Sequence, residues 1–161
     1  MIRAIRLIAL FFVAMAAQWW LSTRASFYGL APQILLVLTV AVASRQGAVR
    51  AMTLGFFWGL FLDTLSPHLF GGNAFLLALV GWGTGSVRRQ IDVAGLGPQC
   101  AVIFMMTLGF CLSFGLLGLV FMRQFIWGGW LPFVTLPFVN CAVAGALYAV
   151  WRPEYEHPRG L

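Results

Sequence analysis

Charged residues cut this chain into long apolar blocks. Positions 7–23, 25–44, 93–122 and 124–151 carry no charge, and 51–87 is broken only by Asp63. A helix that crosses the hydrocarbon core of a bilayer needs about 20 mostly apolar residues, with a range of roughly 17–25. Each of the four uninterrupted blocks therefore supplies one crossing, the two longer ones with some loop to spare. The block 51–87 is too long for one straight helix. Its middle reads DTLSPH over 63–68 and GGN over 71–73, and Pro and Gly-Gly-Asn clusters interrupt helices. It splits into two short crossings. The pattern thus predicts six, at approximately 4–21, 29–44, 50–64, 70–87, 100–122 and 130–151, within one all-α membrane domain over 1–161.

The arginines test that count. With six crossings, Arg3, Arg6, Arg45, Arg50, Arg88, Arg89, Arg152 and Arg159 fall on one side, and only Arg24 and Arg123 on the other. Fusing 51–87 into a single crossing distributes them five to five. Short loops rich in Arg stay cytoplasmic, so the expected topology has six crossings with both termini inside. Arg3 and Arg6 ahead of an apolar run ending in Ala14, Met15, Ala16 and Ala17 also resemble a signal peptide. The run continues through Gln18, Trp19, Trp20 and Leu21, so retention of this segment as a helix is the expectation.

Composition narrows the function classes. Of 161 residues, 61% are hydrophobic and 9% charged, against about 45–50% and roughly 25% in soluble domains. Such a chain cannot clothe a water-facing surface, which excludes a soluble enzyme, a disulfide scaffold and a disordered regulator. The net charge of +6 comes from ten arginines scattered between apolar runs. They read as topology signals, not as a nucleic-acid face. Cys100, Cys111 and Cys141 have no metal-ligand spacing and read as small packing residues.

Helices in lipid associate through close contact at small residues. Gly55 and Gly59, like Gly81 and Gly85, lie one turn apart on one helix face. These pairs are either a docking groove for a partner helix or packing within the bundle, the latter being preferred. Gly83 widens the second notch; Gly109, Gly115 and Gly118 thin the fifth segment, and Ala142, Gly145 and Ala146 offer a strip in the sixth. Pro132 and Pro137 are expected to kink or delay that sixth helix.

An ionisable group in a membrane segment is a functional candidate by default. Asp63 stands near His68 at the outer end of the third segment, but the two form no catalytic set, no paired carboxylates and no metal cluster. The preferred reading is a loop pin built from Asp63, Gly71 and Asn73, with Asp63 accepting N–H groups of the following turn or pairing with Arg24 or Arg123. Arg45, Arg50, Arg88 and Arg89 read as cytoplasmic orientation signals that an acidic partner or anionic lipid could also use. No catalytic residue, metal site or cofactor is expected.

Residues 55–66, reading GFFWGLFLDTLS, are followed by GGNA at 71–74 and an apolar run into Gly85 and Arg88-Arg89. This stretch resembles the MreD family of rod-shape-determining membrane proteins, with Gly59, Leu60, Asp63, Gly71, Ala74 and Arg88 matching and Asn73 where a His is common. The resemblance implies a non-enzymatic scaffold of the cell-elongation complex in the bacterial inner membrane. Its implied partners are MreC, RodA with a class B penicillin-binding transpeptidase, MreB on the cytoplasmic side, and membrane lipids. The family is also similar in its six-helix fold to the substrate-binding subunits of energy-coupling-factor transporters. A vitamin or small-molecule subunit is therefore the alternative reading, and it predicts a cavity near Asp63, His68 and Asn73.

Overall fold

The computed structural model describes residues 2–24, 32–65, 69–90, 95–126 and 128–150, with side chains omitted at 2–10, 22 and 150. Ser66, Pro67, His68, Asp92, Trp127 and the tail from 151 onward lie outside the described residues. Six helices and no strand are present among them: α1 Ile2–Arg24, α2 Ile34–Gln46, α3 Ala48–Leu65, α4 Gly72–Val87, α5 Leu96–Met122 and α6 Trp130–Val150. By length and composition, Ala48–Leu65, Leu96–Met122 and Trp130–Ala149 are able to cross a membrane.

The centre of the bundle is α2, which touches each of the other five helices. Leu35 through Val40 are all buried, followed by Val42, Ala43 and Ser44. A helix that is apolar all round belongs in a core, and α2 is enclosed by its neighbours on every side. The chain then turns at Gly47, whose φ of +92° suits a residue without a Cβ, and enters α3 at once. The α3–α4 pair is the most extensive contact in the molecule, followed by α5–α6. Packing of α1 is against α2 and α3, where Phe11 stacks on the buried Trp58 with ring centroids 5.9 Å apart.

One sequence expectation needs correction, that Pro132 and Pro137 delay the sixth helix. Helix α6 begins at Trp130, ahead of Pro132, and continues through Pro137, so neither proline delays it. Pro132 sits in the first turn, where a missing N–H costs the helix nothing. Gly109, Gly115 and Gly118, expected to thin the fifth segment, and Gly145, expected in a small-residue strip of the sixth, differ in their surroundings. Gly109 and Gly145 face open space, whereas Gly115 and Gly118 receive Phe125 and Ile126 of the loop that folds back from the end of α5.

Candidate functional site

Asp63 occupies the last turn of α3, 2% exposed. Across from it, α4 starts behind Gly71, whose φ of +91° provides a left-handed entry but no side-chain cap. The first amides of a helix have no intrahelical acceptor. Asp63 supplies it from another element: Oδ1 accepts the Asn73 backbone N–H and the Asn73 Nδ2–H, each at 3.0 Å, and Oδ2 accepts the Ala74 N–H at 3.0 Å. A carboxylate facing the positive end of a helix dipole is favoured electrostatically. Both oxygens are thereby engaged, and among the described residues Asp63 makes no ion pair with Arg24 or Arg123.

The expected glycine pairs meet across the same interface. A Cβ at Gly55 would lie 2.6 Å from the Leu77 carbonyl oxygen, and one at Gly81 would lie 2.7 Å from the Ala51 carbonyl carbon. At Gly59 it would strike Ala74 and the Asn73 carbonyl, and at Gly85 it would strike Ala48. Read in order, 48 faces 85, 51 faces 81, 55 faces 77 and 59 faces 74, so the helices run antiparallel with their backbones in direct contact. Asp63 is the next position in the same four-residue stripe. The notches are filled by the chain's own helices, leaving no groove for a foreign helix at these four glycines. Ala74, already part of the matched motif, belongs to this stripe together with Ala48 and Ala51, which the sequence reading did not single out although their spacing from the glycines is visible.

The start of α2 is capped in the same way by residues that carried no sequence signal. Asn140 of α6, fully buried, accepts the Gln33 N–H at 2.9 Å and donates through Nδ2 to Thr107 of α5 at 3.1 Å. Gln18 of α1 accepts the Ile34 N–H at 2.8 Å. The starts of α2 and α4 therefore lie at one pole, each held by side chains from other helices. Beside them is a cavity of about 270 Å³, lined by Gln33, Asn73, Phe110, Phe114, Ile126 and Phe133 among others. The Gln33 Oε1 is buried and has no hydrogen-bond partner among the described residues. His68, expected near this end, lies outside the described residues.

The opposite pole collects arginines. Arg45 ends α2, Arg50 lies in the first turn of α3, and Arg88 and Arg89 follow α4, all four exposed. Of the arginines whose side chains are described, the remaining two, Arg24 and Arg123, end α1 and α5 at the capped pole. No group of three or more metal-ligating side chains occurs among the described residues.

A family model described as "rod shape-determining protein MreD" matches residues 1–152, nearly the whole chain. The chain belongs to the MreD family. As an MreD it is a membrane protein of rod-shape determination, and the family's description names a shape-determining role, not a reaction. No curated protein and no solved structure matches it, so the likeness to energy-coupling-factor subunits finds no support among solved folds. What the geometry adds to the MreD assignment is the use made of the matched residues. Gly59, Asp63, Gly71 and Ala74 all lie where α3 closes onto the start of α4.

Proposed function

We propose that this MreD protein is a non-enzymatic, multi-pass scaffold of the cell-elongation complex in the bacterial inner membrane. Its six helices cross the bilayer with both termini cytoplasmic. It binds MreC and, with MreC, supports RodA and its class B transpeptidase during lateral peptidoglycan synthesis, with MreB beneath the membrane. The family match over residues 1–152 carries this reading. The geometry is in keeping with it. Asp63, the single acid inside the apolar blocks, has both oxygens occupied by a helix end, and the glycines are used to close a rigid hairpin. The surface left for partners is the lipid-facing side of the helices and the arginine pole.

Co-expression of this protein, tagged, with MreC, followed by mild detergent extraction, is expected to retain MreC through purification. Consistent loss of MreC would overturn the scaffold reading. Photo-crosslinkers at exposed Phe56, Trp82, Leu116 and Phe138 then identify the face that MreC covers.

A further inference from the structure

The lipid-facing apolar surface is far shorter on one side of the molecule than on the other. On α3 the exposed apolar residues run from Val49 to Leu65, with Met52, Phe56 and Phe57 between them. At 1.5 Å per residue these sixteen steps cover about 24 Å. Helix α4, which exposes Phe75, Leu79 and Trp82, has 16 residues and also reaches about 24 Å. On α5 the exposed apolar residues run from Leu96 to Met122, about 39 Å. The hydrocarbon core of a typical bilayer is about 30 Å thick.

These lengths cannot all be matched by orientation. Tilting α5 by about 40° brings its span to about 30 Å, at the edge of the range seen for membrane helices. Tilting α3 and α4 only shortens their reach. They cannot slide apart to lengthen it either, because Gly55, Gly59, Gly81 and Gly85 hold their backbones in contact. The ends of the hairpin are fixed as well. Arg50, Arg88 and Arg89 mark one, and their long side chains recover a few Å by snorkelling. At the other end Asp63 is tied to Asn73 and Ala74 and reaches nowhere. Beyond the start of α4, helix α5 continues and walls an apolar cleft of about 310 Å³ with Leu117 and Phe121 against Phe70 and Phe75.

We infer that the α3–α4 face holds the adjacent lipid thinner than the α5 face does, so that the protein sits in the membrane as a wedge of unequal hydrophobic height. The lipid that fits this face has shorter acyl chains than the bulk. This rests on the membrane-spanning reading above. The test reconstitutes the full chain in phosphatidylcholine vesicles with monounsaturated chains of fourteen, sixteen, eighteen, twenty and twenty-two carbons, and measures the thermal midpoint in each. The midpoint is expected to peak at fourteen or sixteen carbons and to fall by about 3–6 °C toward twenty-two. Replacing Arg50, Arg88 and Arg89 together by Leu raises the apolar height at one end and is expected to move the peak toward longer chains. A peak at eighteen carbons or above, a flat profile, or a peak that ignores the arginine replacement would overturn the inference. Alkaline extraction of the same vesicles separates the two readings. A protein washed off the membrane refutes the spanning itself, whereas one that stays but prefers long chains refutes only the wedge.

Discussion

Removing the carboxylate at position 63 strands three donors at once. Asp63→Ala leaves the Asn73 and Ala74 amides buried at a helix start with no acceptor, together with the Asn73 side-chain amide. Each stranded group costs about 1–3 kcal/mol, more where the lost partner was charged, so a loss of about 3–5 kcal/mol is expected in a denaturation assay. Asp63→Asn keeps one oxygen able to accept from Asn73 but turns an NH2 group toward the Ala74 N–H. It is expected to fall between wild type and Ala. Equal stability of all three proteins would show that the cap contributes nothing. Asn140 makes a second test at this scale. Asn140→Leu preserves bulk but strands the Gln33 N–H, and a loss of about 2 kcal/mol is expected. Adding Thr107→Val to that variant should cost little more, since the Thr107 hydroxyl already donates to the Ile103 carbonyl and loses only the Asn140 amide.

At the level of elements, the glycines divide by what faces them. Gly59→Ala and Gly85→Ala drive a methyl into the backbone of the partner helix, and each should cost about 3 kcal/mol or prevent folding. Gly145→Ala and Gly109→Ala meet nothing within 4 Å; both should be neutral or stabilising by up to about 1 kcal/mol through helix propensity. The sequence gives no such division, because a Gly-x-x-x-Gly spacing looks the same whether it is packed or open. What it does show is the all-α class and the six helices, since charges, Pro and Gly-Gly mark the breaks between apolar runs. Asp63 and the matched motif around it were equally visible. Hidden were the contacts that are distant along the chain: Gln33 and Asn140 are 107 positions apart, and neither stands out within its own apolar run. Nor could hydropathy distinguish α2, buried on every side, from helices that face lipid, because both environments select the same side chains.

For the molecule as a whole, the two poles differ in chemistry and the arginines give them direction. Arg45, Arg50, Arg88 and Arg89 gather at the ends where α2 and α4 finish and α3 starts, while Arg24 and Arg123 lie at the capped pole. A short loop bearing guanidinium groups resists export, so the four-arginine pole should face the cytoplasm. The capped pole, with its buried Asp63, Gln18 and Asn140 and the cavity beside Gln33, should then face outward. A fluorescent reporter that matures only in the cytoplasm, fused after Arg89, is expected to light up. An export-dependent phosphatase fused there is expected to stay inactive, and the two reporters should exchange behaviour when fused after Gln124. Activity of the phosphatase after Arg89 would invert the molecule.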